Sequence, residues 1–553
     1  MKNNEGSPLP LGVSKINHII NFSIAVEQGK KCQLCIFKKN EEKPEIIIEM
    51  SEKDAVGEVR FVALSESNVK GKEYVYEINN ELLLDPCVKQ LVNTPYGVRG
   101  KISFNSYDWE GDKPLEIPHH NVVAYTLHMR GFTKHRSSKV RKKGTFLGLI
   151  EKIPYLQELG VNQVQCMPIY SFKENPKYKN YWGYGDAFCF AIKQSYAAST
   201  DAQKELKDTV KAFHKSGIEV VLNLPFSEQI PKQVIVECLR YYVMEYHVDG
   251  FVLNPMNAPM ECILSDGILK RTKILQNGTK FQNTMRRFLR GDKGIVLQVM
   301  SELKKTVGEC GSCNYITNHT GFTLRDLVSY NEKHNERNGE NNCDGPTENY
   351  SWNCGREGNT TNEEILNLRK KQMRNAMALL MFSQGTPCIL AGDEFGNSQN
   401  GNNNVYCQDN EIAWLNWNQL EKEKEFFEYV KCLIRIRKEF SVFGTEKILT
   451  GTDKTGCGVP DISYHGESAW KIEKDDESCR LGVYYHGEDG TDCFVAYNMQ
   501  DEKLEFALPQ LAKMKKWYRI FSTEEERVQK TSLEQNQQKK SLEARTIAMF
   551  VGR

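Results

Sequence analysis

Two cysteine pairs have the CxxC spacing that can form a reversible disulfide or half of a zinc site, Cys32/Cys35 and Cys310/Cys313. Neither has the surroundings that this chemistry needs. The first lies in a strand-like segment, CQLCIF, where residues three apart point to opposite faces. The second lacks a strand before it and a helix after it, and no neighbouring Cys or His pair completes a tetrahedral metal site. Most of the 17 cysteines sit in apolar runs such as VQCMP, AFCFA and TPCIL, the setting of buried thiols. Polar side chains at the ends of apolar runs are better placed for chemistry. Asn223, Ser227 and Glu228 end IEVVLNLP; Asn254 ends VDGFVLN; Gln276 and Asn277 follow TKIL; His319 and Thr320 close NYITNHT; Asp393 and Glu394 follow TPCILAG. Among these, Glu228, Asp393 and Glu394 are carboxyls that can move a proton.

The elements that hold these residues fall into three stretches. Residues 1–105 carry short alternating segments (IINFSIAV, CQLCIF, IIIEM, VRFVAL, YVYEI) that predict a β-sandwich. Residues 106–444 alternate apolar runs with helical stretches. NVVAYTLHM, VNQVQCMP, IEVVLNLP, VDGFVLN, TKILQ, NYITNH and TPCILAG read as strands. TFLGLIEKIPYLQELG, AQKELKDTVKAFHKSG, KQVIVECLRYYVMEYH, Glu363 to Ser383 and the segment near 421–438 read as helices. Regular alternation means a parallel sheet covered by helices, and so many units favour a closed (β/α)8 TIM barrel. The sixth strand has no segment that can be assigned to it. Residues 445–553 return to β segments (RLGVYY, CFVAYN, LEFAL, WYRIF, TIAMF) and predict a second sandwich, with the polar run EEERVQKTSLEQNQQKK as a solvated excursion. In such a barrel, chemistry belongs at the C-terminal ends of the strands.

The chain has 553 residues, with 73 Lys and Arg against 72 Asp and Glu, a net charge of +1. That balance leaves no basic footprint for nucleic acid. No apolar run is long enough for a membrane span, and residues 1–11 are polar with no signal-peptide core, so a soluble, cytoplasmic protein is expected. The sequons Asn277-Gly-Thr and Asn349-Tyr-Ser carry little meaning in that setting.

Long blocks at the strand ends resemble the isoamylase and glycogen-debranching branch of the α-amylase superfamily (glycoside hydrolase family 13). They include DWEGDKPLEIPHHNVVAYTLHMRGFTKH, NYWGYGDAFCFAIKQSYA, GFTLRDLVSYNEKHNERNGENNCDGPTENYSWNCGREG and LAGDEFGNSQNGNNNVYCQDNEIAWLNW. SPLPLGVSKINHIINFSIAV and NNELLLDPCVKQLV resemble that branch's N-terminal glucan-binding-type sandwich, and PDISYHGESAW and CFVAYNM its C-terminal one. The resemblance implies a multidomain protein with a central (β/α)8 barrel between two β-sandwiches. It also implies cleavage of α-glucosidic bonds with retention, which requires two carboxyl groups roughly 5–5.5 Å apart.

The chain departs from the family pattern at each catalytic position. Where the family has an Asp nucleophile after strand four, VDGFVLN has Asn254, and the orienting Arg is Val252. Asn has nearly the shape of Asp, but it cannot form the glycosyl ester. Where the acid Glu is expected, TKILQNG has Asn277 (or, shifted by one, Gln276), and neither amide can protonate a leaving oxygen. The third carboxyl, in a block usually reading His-Asp-Gly-Phe-Thr-Leu, is replaced by Thr320 in HTGFTL, while His319 stays. Asn223, Ser227 and Glu228 stand where strand three usually has Asp and Asn-His. After Asn277 the chain runs quickly into FQNTMRRFLRGDKG, so the usual long loop is much shortened.

The resemblance therefore implies a catalytically inactive isoamylase-like protein with no catalytic carboxyl in place. Glu228 is the candidate substitute carboxylate for the rival reading, an active α-1,6-glucosidase; Asp393 and Glu394 belong to a motif that active members share. Tyr184 and His319 match groups that contact the sugar at the cleavage subsite. Tyr181, Trp182, Tyr350, Trp352, Trp414 and Trp417 lie in blocks that line the family's glucan groove and are candidate substrate-binding residues. Expected partners are α-glucan (glycogen, starch or branched dextrin) and an active isoamylase-type enzyme. No cofactor is expected, and no oxygen-ligand cluster demands calcium.

Overall fold

The computed structural model describes residues 6–173, 179–306, 311–472, 478–511, 515–525, 533–535 and 539–553. Near the N-terminus a three-stranded antiparallel sheet (Gly12–Ile16, Ile19–Ala25, Val59–Ser65) faces a second antiparallel sheet. The path of the second runs Ile46–Glu49, Cys32–Phe37, Glu73–Ile78, Gly97–Lys101, Leu91–Thr94. Alternation sends Ile20, Phe22, Ile24, Val62 and Leu64 from one sheet and Leu34, Ile36, Tyr74 and Tyr76 from the other into a shared core. Cys32 joins that core, whereas Cys35 packs with Phe37 and Val75 in a separate cluster. Burial pushes both thiols up to about 11, unsuited to exchange chemistry. Of the second CxxC pair, Cys310 lies outside the described residues.

The middle of the chain is a closed parallel barrel. Its strands, in order around the ring, are Ala124–Leu127, Gln163–Cys166, Glu219–Asn223, Gly250–Val252, Lys273–Asn277, Gly311–Asn314 and Thr386–Leu390, the last pairing with the first. Period-two alternation sorts the side chains. Ala124, Val221, Val252, Leu275, Cys313 and Cys388 fill the inside, while Tyr125, Val220, Phe251, Ile274 and Ile389 pack under the helices.

Seven strands close the ring among the described residues, against the eight of the expected barrel. The missing one is the sixth, which the sequence does not yield. The fifth strand passes through Gly278 directly into helix Thr279–Arg290. Its neighbour is then Gly311–Asn314, through Leu275↔Gly311 and Asn277↔Cys313. This close approach explains Gly278: a Cβ there would meet the Cys313 carbonyl oxygen at 2.4 Å. The strand expected over NYITNH is instead the short GSCN segment just before it. One expected helix is two, Phe146–Ile150 and Ile153–Leu159, with Pro154 at the start of the second.

The C-terminal stretch forms a six-stranded antiparallel sheet, running Ile462–His465, Arg480–His486, Asp492–Asn498, Thr546–Gly552, Trp517–Ser522, Leu533–Gln535. A two-stranded sheet, Leu504–Ala507 with Lys539–Leu542, accompanies it over a core of Tyr484, Phe494, Phe506, Trp517 and Phe550. Much of the polar run expected as an excursion lies outside the described residues, but its Leu533–Gln535 segment is the edge strand. No helix among the described residues is long and apolar enough to cross a membrane.

Candidate functional site

The loops at the C-terminal ends of the barrel strands gather an aromatic and imidazole cluster. Tyr181, Trp182 and Tyr184 come from the loop after the second strand, His319 from that after the sixth, and His128 follows the first. The Tyr184 hydroxyl and His319 Nε2 share a hydrogen bond of 2.6 Å, and Asn223, ending the third strand, also bonds that hydroxyl. Trp182 is buried and meets His319 edge to face at 5.1 Å, with Tyr184 at 5.7 Å. Tyr184 is half-buried and presents the open face of the cluster.

Burial holds His319 down to about 4, so the ring is neutral at neutral pH. His128 is held likewise, to about 4 by burial. Its Nδ1 accepts from the backbone N–H groups of Arg130 and Gly131, and its Nε2–H donates to the Tyr181 carbonyl at 2.7 Å. Tyr181 stacks on His128 at 3.8 Å and is buried, so its ring serves as the floor of the cluster and is not an open sugar platform. Gly131 allows this: a Cβ there would lie 1.8 Å from the Tyr181 hydroxyl. A small cavity of about 50 Å³ sits behind, lined by His128, Tyr181, Trp182 and His319 among others.

The positions expected from the sequence to lack the family's carboxyls lie at or after the strand ends. Asn254 is exposed; its Oδ1 accepts from the Met256 N–H at 3.1 Å, and its carbonyl accepts from Asn257 and Ala258, so it opens a turn. Asn277 is exposed and Gln276 half-buried. Thr320 is exposed, with its hydroxyl and its N–H both donating to Asn318 Oδ1. Val252, expected from the sequence to stand in the place of an orienting Arg, points into the barrel and packs with Val221, Leu275 and Cys313.

Glu228 is exposed on the loop after the third strand. Asp393 and Glu394 are buried. Asp393 accepts from the Thr317 hydroxyl and from the Leu324 N–H at 2.8 Å; Glu394 accepts from the hydroxyls of Tyr125 and Tyr155 and from the Gly392 N–H. Burial raises both to about 7, and their contacts fix the loop after the last strand. Arg286 is also buried and clamps this side, donating to the Ile316 and Asn349 carbonyls.

The other candidate aromatics divide. Trp414 joins the cluster of Tyr181, Trp182 and Tyr184, with its Nε1 donating to Asp409, which is paired with Arg130. Trp417 is buried in the main core, donating to the Phe132 carbonyl under Lys152. Trp352 packs away from the mouth, against Arg545 of the C-terminal stretch at 4.9 Å, and Tyr350 faces Arg287 and Arg290.

Two features escaped the sequence. His128 is signalled only by following a strand. A polar column inside the barrel is hidden in runs that read as apolar: Lys273 pairs with Glu219, Gln163 donates to Glu219 at 2.8 Å, and Gln165 donates to Gln163 at 3.0 Å. Among the described residues no group of three or more His, Cys, Asp or Glu is placed to hold a metal ion.

Comparison with known proteins places this geometry. A rice (Oryza sativa subsp. japonica) protein, isoamylase 3, chloroplastic, is 30% identical, over 94% of this chain and 83% of its own length. The chain belongs to the isoamylase and glycogen-debranching branch of the α-amylase superfamily. The family model for the α-amylase catalytic domain matches residues 127–227. The glycogen operon protein GlgX homolog of Mycobacterium tuberculosis (strain ATCC 25618 / H37Rv) is 29% identical over 93% of this chain and 92% of its own. In fold, the Bacillus subtilis type I pullulanase, solved as a complex with maltose, superposes with a TM-score of 0.76 at 18% identity, covering 98% of this chain and 85% of that one. The rice alignment spans 667 positions against a chain of 553 residues, so that isoamylase carries segments absent here.

Proposed function

We propose that this isoamylase-family chain does not hydrolyse glucan, and that it binds α-glucan and acts in α-glucan metabolism as a binding protein or as the partner of an active debranching enzyme. One observation carries the reading. Asn254, Asn277 and Thr320 stand at the three catalytic positions as uncharged side chains on the rim, two of them hydrogen-bonded within their own turns. Retaining cleavage needs a nucleophilic carboxylate and a carboxylic acid across the bond, and an amide supplies neither. Tyr184, held by His319 and backed by the buried Trp182, remains as a preformed aromatic face for a sugar ring, with Trp414 nearby. The likeness to debranching proteins, and to a pullulanase solved with maltose, supports α-glucan as the ligand.

The test is a long incubation of concentrated protein with branched dextrin, scored for reducing ends, beside electrophoresis through a glycogen-containing gel. No release of reducing ends and retarded migration are expected. Saturable release that disappears in Glu228→Gln would establish the rival reading, hydrolysis by a displaced carboxylate. Co-purification from the native cell identifies an enzyme partner.

A further inference from the structure

Far along the chain from the barrel mouth, three side chains of the C-terminal stretch stand in line. Cys457 is exposed in the loop before strand Ile462–His465, and its Sγ is 3.4 Å from His486 Nε2. His486 Nδ1 is 2.7 Å from Asp492 Oδ1. His486 ends one strand and Asp492 begins the next, and the two are direct cross-strand partners, so the sheet register fixes the imidazole. Asp492 is buried, which alone would raise its carboxyl, but contacts from Lys515, Tyr484 and His486 outweigh this and hold it below the usual range. The ionised carboxylate takes the Nδ1–H, which leaves the Nε2 lone pair facing the thiol.

The loop supports this arrangement. Asp453 accepts from the backbone N–H groups of Thr455, Gly456, Cys457 and Gly458 and so fixes the position of the sulfur. The Thr455 hydroxyl lies 3.0 Å from Sγ and can donate to a thiolate. Asp453 Oδ1 lies 4.0 Å from the sulfur, where it accepts from the thiol and, as a like charge, counts against the thiolate. Beside the cysteine, His486, Thr455 and Val459 help to line a cavity of about 350 Å³, whose walls include Lys447 and Lys454.

We propose that Cys457 is an activated thiol, a modification site for small disulfides. His486 Nε2 takes the S–H proton, and the thiolate attacks one sulfur of the incoming disulfide. A new S–S bond joins Cys457 to that sulfur as the old S–S bond breaks. The displaced sulfur leaves as a thiolate and takes the proton from the imidazolium. One disulfide is consumed and one is formed, so the small disulfide is the only oxidant required. The cavity gives the transferred group a place to lie.

Cys262 and Cys343 provide an internal control. Both are exposed, but among the described residues neither has a histidine within hydrogen-bond reach; Cys343 Sγ faces the Asn341 carbonyl at 3.5 Å. The reduced full-length protein is treated with oxidised glutathione near neutral pH, quenched with acid, and its mixed disulfides are located by peptide mass spectrometry. Cys457 is expected to react at least about tenfold faster than Cys262 and Cys343, given what a positioned base contributes. His486→Gln should bring its rate down to theirs without changing theirs. Equal rates at the three thiols of the native protein overturn the proposal with no variant needed. An unchanged Cys457 rate in His486→Gln overturns it as well.

Discussion

Tyr184 and His319, 135 positions apart in sequence, share a hydrogen bond of 2.6 Å that ties the loop after the second barrel strand to the loop after the sixth. His319 is buried and neutral, so the contact satisfies a polar atom and also sets the orientation of both rings. Tyr184→Phe removes the hydroxyl, leaves that ring nitrogen without its partner, and should cost about 1–3 kcal/mol in urea denaturation. The aromatic face survives in this variant. Retardation on a glucan gel should therefore weaken far less in Tyr184→Phe than in Tyr184→Ala, and equal loss in both would mean that the face does not touch sugar.

The same burial gives stability a pH signature. His319 titrates at about 4 in the folded chain, against 6.5 for a free imidazole. As pH falls from 6.5 towards 4, the unfolded chain takes up a proton there and the folded chain does not, so folding loses stability across that window. His319→Gln removes this contribution. The difference in denaturation midpoint between the native protein and the variant should shrink steadily as pH falls from 6.5 to 4, and it should be flat above pH 7. A constant difference across the window would show that His319 is solvated.

Much of this was legible from sequence. Runs such as IEVVLNLP and VDGFVLN form barrel strands because β-branched and aliphatic residues alternate between the interior and the helix layer. Strand Gly311–Asn314 was legible only approximately, expected a few residues later over NYITNH, since GSCN has no apolar alternation; its neighbours on both sides supply the order. The polar column of Gln163, Gln165, Glu219 and Lys273 was hidden for a related reason: each residue is polar by type yet satisfied by partners that alternation and closure of the barrel bring together inside it, along one strand for Gln165 with Gln163 and across strands for Glu219 with Gln163 and Lys273. At the mouth, the resemblance to the family's groove blocks grouped Trp182, Trp352 and Trp417 as groove aromatics. Tertiary packing separates them, because the indole N–H finds an acceptor and the indole face a cation wherever one lies nearby.

Trp352 illustrates the separation. Its ring lies under the Arg545 guanidinium at 4.9 Å, and Arg545 in turn donates to the Leu289 and Arg290 carbonyls of the barrel. The indole thus helps to hold the C-terminal sheet on the barrel. Trp352→Ala should lower the thermal midpoint by several degrees, at a cost of about 2–4 kcal/mol, with glucan retardation per folded molecule unchanged. A selective loss of retardation with an unchanged midpoint would return Trp352 to the groove.

Placing carboxyls at the proposed nucleophile and acid positions tests the proposed reading of the site. Asn254 and Asn277 are exposed, and an aspartate at 254 can still accept from the Met256 N–H. The double variant Asn254→Asp with Asn277→Glu should therefore fold with stability within about 0.5 kcal/mol of the native chain. It should nevertheless fail to release reducing ends from branched dextrin at a rate near that of an active debranching enzyme. Val252 still points into the barrel among Val221, Leu275 and Cys313, where no guanidinium can orient the new carboxylate. Direct passage of the fifth strand through Gly278 into helix Thr279–Arg290 leaves the acid on a rim with no long loop behind it. Groups that act as one catalytic unit give little rate when only some are restored. Full activity in the double variant would mean that the scaffold around these positions supports cleavage once two carboxyls are supplied, with no third carboxyl needed at Thr320.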